Sequence, residues 1–160
     1  MSSSLLLSGS SEISLDDKGR FAMPVRYRRL LSDECDGEIT ITRSLTEPCL
    51  WIYPATQWEE VVKSLSTLPT LADKVARAVQ RMILGSAVCL KPDSQNRILL
   101  PPELRKAANL EHKAVLIGFA NKFELWSEDV LNAQRSNDED LLKENLANFS
   151  EHDALSALKL

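Results

Sequence analysis

The sequence predicts an α+β protein, mainly β, built as two internally repeated halves with flanking helices. Three observations lead there. The stretch Asp16-Asp-Lys-Gly-Arg-Phe-Ala-Met-Pro-Val-Arg-Tyr-Arg28 recurs as Asp93-Ser-Gln-Asn-Arg-Ile-Leu-Leu-Pro-Pro-Glu-Leu-Arg105, with Asp, Arg, Pro and Arg matched at a constant separation of 77 positions. Each copy then returns to an aromatic stretch, Cys49-Leu-Trp-Ile-Tyr53 and Lys122-Phe-Glu-Leu-Trp126, now 73 positions apart, so the loops between differ by four residues. Short stretches of alternating apolar and polar residues dominate both halves, and the long helical periodicity lies between them.

The elements follow in order. Ile13 and Leu15 alternate with Glu12 and Ser14, the pattern of a half-buried strand. Asp17-Lys18-Gly19 is a turn in which Gly19 is free to take positive φ. Arg20 to Met23 is a second short strand, with Phe21 and Met23 on one face. Pro24 suits the first turn of a helix, which carries Arg26, Arg28 and Arg29 and ends near Leu31. A turn over Asp33–Gly37 leads to strands at Glu38–Thr42 and Leu50–Tyr53. Thr56 and Glu59 have the spacing of a capping box, opening a helix through about Leu65. The second half repeats the plan: a strand at Ala87–Leu90, a turn at Asp93–Asn96, a strand at Arg97–Leu100 and a helix from Pro102 to about Ala108. A nearly continuous apolar strand over Ala114–Gly118 and another over Phe123–Trp126 follow, and Ser127 can cap a last helix. The connector has Thr70 as its expected N-cap and Gly85 as its stop. Leu71, Val75, Val79 and Met82 form its apolar stripe, widened by Ala78 and Ile83, and Lys74, Arg77 and Arg81 line another side. The resulting division is residues 7–58 for the first half, 59–85 for the helical connector, 86–131 for the second half and 132–160 for an acidic C-terminal tail. A half of this size buries too little surface to be a robust unit, so the halves are expected to pack together and to offer surfaces to other subunits.

Composition narrows the function. The 160 residues are 44% hydrophobic and 26% charged, ordinary for a globular chain. No apolar run reaches the ~20 residues of a membrane span. The opening Leu5–Leu7 has no preceding cation and does not read as a signal peptide. Three scattered cysteines without a Cys-x-x-Cys pair fit a reducing cytosol rather than a disulfide framework or zinc site. His112 and His152 are the two histidines, and no H-E-x-x-H, G-x-S-x-G or P-loop motif occurs. No catalytic residue, metal ligand, cofactor or small-molecule substrate is expected, and the chain reads as a non-enzyme. The formal net charge is −4, yet the distribution is uneven: from Glu128 onward stand eight acidic and three basic residues, whereas residues 15–30 carry Lys18, Arg20, Arg26, Arg28 and Arg29 against Asp16 and Asp17.

Lys18 and Arg20 flank a glycine turn that can present cations to phosphates or to a base edge, and arginine suits a bidentate contact with guanine. Arg20 has a second role open to it, an ion pair with Asp16 or Asp17 that simply holds the turn. The same two roles are open to Arg97 beside Asp93. Asp16 and Asp93 read as acceptors for turn N–H groups, with Gly19 and Asn96 at the left-handed position. Arg26 and Arg28 divide between phosphate contact or interface and a structural role, and Arg28 recurs as Arg105. Trp51, Tyr53, Trp58, Phe123 and Trp126 read as core.

Duplicated halves with Asp-x-x-x-Arg followed four residues later by Pro resemble the AbrB-type (SpoVT-AbrB) swapped-hairpin barrel. Leu15-Asp-Asp-Lys-Gly-Arg20, Trp51-Ile-Tyr-Pro-Ala-Thr-Gln-Trp58, Val79-Gln-Arg-Met-Ile-Leu-Gly85 and Asn121-Lys-Phe-Glu-Leu-Trp126, in that order and spacing, resemble the MraZ family of bacterial transcriptional regulators over residues 7–131. The resemblance implies two AbrB-like halves interlocked into one barrel, chains assembled into a homo-oligomeric ring, and a cytoplasmic, nucleoid-associated protein. It further implies binding to double-stranded DNA with direct repeats, in the promoter of the division and cell-wall operon that includes the protein's own gene, as a repressor. The family's DNA motif carries over to Asp16, Lys18, Gly19 and Arg20, and its second copy to Asp93 and Arg97. Departures from the pattern are Gln95 opposite Lys18, Asn96 in place of the second glycine, and Leu7-Ser8-Gly9 where the family has Phe-Arg-Gly. An antitoxin-like or transition-state AbrB-type regulator, and a protein-interaction scaffold with a vestigial DNA motif, are the alternatives.

Overall fold

The computed structural model describes residues 6–159; Met1 to Leu5, with most of the stretch read as lacking a targeting signal, lie outside the described residues. The described chain divides into two compact units, one ending at Glu128 and the other starting at Asp129.

In the first unit the chain runs β1 (Ser10–Ser14), β2 (Arg20–Ala22), α1 (Val25–Cys35), β3 (Ile39–Arg43), β4 (Leu50–Pro54), α2 (Ala55–Ser66) and α3 (Lys74–Gly85). The second copy follows as β5 (Val88–Leu90), β6 (Arg97–Leu99), α4 (Pro102–Ala107), β7 (Lys113–Phe119) and β8 (Lys122–Ser127). Six strands form one antiparallel sheet in the order β1-β7-β8-β4-β3-β5, and β2 and β6 form a separate two-stranded ribbon. β1 pairs with β7, β4 with β8, β3 with β5 and β2 with β6, so every strand of the first copy has a partner in the second. The barrel that the resemblance implied does not close: β1 and β5 end the sheet without pairing to each other. The chain leaves both edge strands to build the β2–β6 ribbon, so the two edges share no partner strand.

One hydrophobic core joins the copies. Phe21, Met23, Ile41, Leu50 and Ile52 from the first copy lie with Ile98, Leu100, Leu116, Phe123 and Leu125 from the second, all essentially without exposure. Deleting such a side chain removes its transfer free energy and leaves a cavity, so Phe21→Ala is expected to cost about 3–5 kcal/mol. The alternation read along β3 does not mark a wet face: Thr40 and Thr42 are buried too. α3 covers that face, and the Thr42 hydroxyl is satisfied by donating to the Ile83 carbonyl at 2.6 Å.

Several helix ends differ from the sequence reading. α1 runs to Cys35, a turn beyond Leu31, because Asp36 takes φ 55° as a left-handed cap and the N–H groups of Asp36 and Gly37 close onto Ser32 and Leu31. Thr56 forms no capping box; α2 starts at Ala55, directly after Pro54. Asp73, not Thr70, caps α3, its carboxylate accepting from the Val75 and Ala76 N–H groups. α3 turns Ala76 and Ile83 inward and leaves Val75 exposed, and Leu71 lies exposed before the helix starts. Tyr53, Phe123 and Trp126 are core, whereas Trp51 and Trp58 are half-buried. The second unit, described by itself, is helix α5 (Glu128–Asn145, begun at the last residue of the first unit) followed by a 3₁₀ segment over Leu146–Glu151. No helix among the described residues is long and apolar enough to cross a membrane.

Candidate nucleic-acid interface

The two Asp-x-x-x-Arg stretches fold into the same turn. Asp16 Oδ1 accepts from the Lys18 and Arg20 backbone N–H groups, each at 2.9 Å, and Oδ2 accepts from Arg20 Nε at 2.7 Å. Asp93 Oδ1 accepts from Gln95 and Arg97 at 2.9 Å, and Oδ2 from Arg97 Nε at 2.9 Å. Each turn closes with backbone bonds between its first and last residues. The position before the arginine is left-handed in both, Gly19 at φ 84° and Asn96 at φ 58°. These hydrogen bonds to the ionised carboxylates hold both acids below the usual carboxylate range, the backbone N–H of Arg20 or Arg97 contributing most. The aspartate carboxylates thus hold each turn together.

β2 and β6 bring the turns together. Their register sets Arg20 opposite Leu99, Phe21 opposite Ile98 and Ala22 opposite Arg97. Two more bonds lengthen the ribbon, Leu100 N–H to the Gly19 carbonyl at 2.9 Å and Met23 N–H to the Asn96 carbonyl at 3.0 Å. Since strand side chains alternate, Phe21 and Ile98 face the core and Arg20, Ala22, Arg97 and Leu99 share the opposite face. The arginine side chains keep 29% and 34% of their exposure, and Lys18 stands exposed at the tip of the first turn. Both roles left open for the arginines are thus compatible: Nε holds the turn while the guanidinium stays at the surface.

The remaining candidates lie elsewhere. Arg26 lies against Gly9, donates to Ser11 Oγ at 2.5 Å and covers the Tyr27 ring at 4.7 Å. Arg28 is half-buried and gives its Nε to the Met23 carbonyl at 2.8 Å, beside Asp93 and Asn96 of the other turn. Its repeat partner Arg105 lies in turn against Gly19: a Cβ there would sit 2.6 Å from Arg105 Nε. That Nε is buried and has no hydrogen-bond partner. So each short helix supports the turn of the opposite copy. The repeat marked Arg28 and Arg105 as equivalent, but which turn each supports needed the strand pairing. The sequence reading also passed over Leu99, exposed on the arginine face. Burial pushes the Cys49 thiol up to about 12, which leaves no thiolate chemistry near neutral pH.

Comparison with known proteins fits this duplicated site. The family model described as "MraZ protein, putative antitoxin-like" matches twice, over residues 6–82 and 83–154. A protein of Pseudomonas putida (strain F1) named transcriptional regulator MraZ is 46% identical over 125 residues, covering 78% of this chain and 82% of its own. One of the same name from Pseudoalteromonas translucida (strain TAC 125) is 43% identical over 152 residues, covering 95% and 98%. Another from Pseudomonas aeruginosa (strain LESB58) is 45% identical over 130 residues, covering 81% and 85%. With matches this extensive in both copies, the chain belongs to the MraZ family.

Proposed function

We propose that this protein is a sequence-specific DNA-binding transcriptional regulator. The observation that carries the reading is the β2–β6 ribbon, which exposes two arginines on one face, each oriented by its own aspartate. Two-stranded ribbons fit the major groove, and a guanidinium held through Nε keeps its Nη donors for a guanine edge or a phosphate. Arg20 and Arg97 are the proposed base-edge contacts, and Lys18 a phosphate contact. Arg26 and Arg28 complete the set as flanking cations, the exposed Arg26 being the more accessible of the two.

A single ribbon offers few cations, so one protomer binds weakly at physiological salt. The proposal therefore includes a ring-shaped homo-oligomer whose neighbouring subunits engage successive direct repeats, raising affinity through effective concentration. The four cross-copy strand pairings support an interlocked pair of AbrB-like halves, at residues 7–58 and 86–131, joined by the 59–85 connector. The proposed operator lies upstream of the division and cell-wall operon containing the protein's own gene, with repression as the outcome, and the protein acts in the cytoplasm at the nucleoid. A second reading, an antitoxin-like regulator whose tail of residues 132–160 docks a partner protein, draws on the exposed Leu141, Leu142 and Leu146.

The test is fluorescence anisotropy with a labelled duplex carrying direct repeats from upstream of the protein's own gene, beside single-repeat and scrambled duplexes. Tight binding that needs several repeats and Arg20, and that weakens steeply with salt, supports the reading. Equal weak binding to every duplex overturns it.

A further inference from the structure

The arginine face of the ribbon also carries an apolar side chain that no turn or core contact requires. Leu99 is 53% exposed. It stands directly opposite Arg20 and two residues along its own strand from Arg97. Directly opposite residues of an antiparallel pair hold their Cβ atoms about 5 Å apart, so Leu99 and Arg20 reach outward side by side. The equivalent position in the first copy is Ala22, opposite Arg97. The duplicated ribbon therefore has one long apolar side chain and one short one, each paired with an arginine.

A lone exposed leucine needs no explanation. One placed between two guanidinium groups, on the face with the greatest share of the site's charge, has a matching ligand chemistry. In the major groove the thymine C5-methyl is the one apolar group presented by the bases, and apolar side chains read it there. Resting on the DNA reading proposed above, we infer that Leu99 is a specificity-determining residue that packs on a thymine methyl group beside the base contacted by Arg20. Ala22 ends at its Cβ and reaches less far from the same ribbon, so at the backbone distance that seats Leu99 it falls short of a methyl group, and the two arginines read different sequences: Arg20 a base flanked by thymine, Arg97 a base without that constraint.

The experiment compares the promoter-repeat duplex with the same duplex synthesised with deoxyuridine for thymidine, which deletes the C5-methyl groups alone. Wild-type protein is expected to lose about fourfold in affinity for each repeat engaged, the value of burying one methyl-sized group. Leu99→Ala is expected to bind the thymidine duplex correspondingly less well and to show no further loss on the deoxyuridine duplex. Leu99→Met, which keeps an apolar side chain of similar reach, restores the sensitivity. Any effect of deoxyuridine on duplex stiffness appears equally in all three proteins and is subtracted by the alanine variant. Equal wild-type binding to both duplexes, or a Leu99→Ala variant that keeps the full deoxyuridine penalty, overturns the inference while leaving the DNA reading intact. Wild-type protein that fails to distinguish repeat from scrambled duplex overturns the DNA reading and this inference together.

Discussion

The turn at Asp16–Arg20 and the turn at Asp93–Arg97 share each hydrogen bond that defines them, and they differ in almost everything around those bonds. The first carries Lys18 at its tip, a glycine at its left-handed position and Ala22 on the outer face; the second carries Gln95, Asn96 and Leu99. The helices that support them also differ. Arg28, beside the second turn, has its Nε satisfied by the Met23 carbonyl, whereas Arg105, pressed on Gly19, has a buried Nε with no partner. Duplication has kept the scaffold that aims each arginine, and divergence has gone into what the scaffold does not hold: tip charge, outward reach and the tightness of the support. The first turn is the more cationic and the more crowded, so it should carry more of the binding and tolerate less change.

The largest expected asymmetry is in DNA binding. Arg20→Ala should abolish binding to the repeat duplex while leaving the oligomeric state unchanged by size-exclusion chromatography. Arg97→Ala should cost less than Arg20→Ala, and equal losses would erase the distinction between the turns. Next comes stability. Gly19→Val puts a branched side chain at φ 84° against Arg105 and should destabilise by about 1–3 kcal/mol in urea unfolding. Asn96→Gly, at a backbone that already accepts the left-handed region, should change stability by less than about 1 kcal/mol. A smaller effect is expected from making the second tip like the first. Gln95→Lys adds one cation per ribbon and should steepen the slope of log K against log salt by about 0.9 for each added phosphate contact. An unchanged slope would place residue 95 away from the backbone.

The smallest difference is expected where the copies agree. Asp16 and Asp93 are both held below their ordinary value of 3.8. A lowered carboxylate pKa stabilises the fold above the unfolded pKa and loses that contribution as pH falls through the folded one. Both turns should therefore stay closed down to about pH 4 and open together only below it. Carboxyl carbon NMR titrations should give two midpoints under 3.8, and a midpoint at or above that value in either turn would break the equivalence.

Much of this was legible in the chain. The 77-residue repeat marked the two turns as equivalent, and the strand read over Arg20–Met23 set Phe21 and Met23 on one face, which is the buried one; the pairing of that strand with its copy was not legible. Helix starts were less legible. Thr56 and Thr70 have capping chemistry, but Pro54 and Asp73 are the residues that open the helices, because the preceding strand and loop decide where the backbone turns. The apolar stripe of α3 was visible too, yet periodicity names apolar positions without naming which are covered; Ala76 and Ile83 are buried, while Leu71 and Val75 stay exposed. Arg105 and Leu99 were unreadable for a related reason. Their surroundings come from the opposite copy, and only the register of β2 against β6 brings them to the first turn.

That register also bears on how the protein comes into being. Ser10 pairs with Ile117 and Arg20 with Leu99, contacts between residues far apart in sequence. Pairings of such long range close large loops before they are rewarded, which makes folding slow and late. A chain emerging from the ribosome at about 5–20 residues per second displays Lys18 and Arg20 long before the strand that fixes them has been made. The nascent protein therefore holds its charges without a surface to present them on, and the arginine face appears only when the second copy arrives.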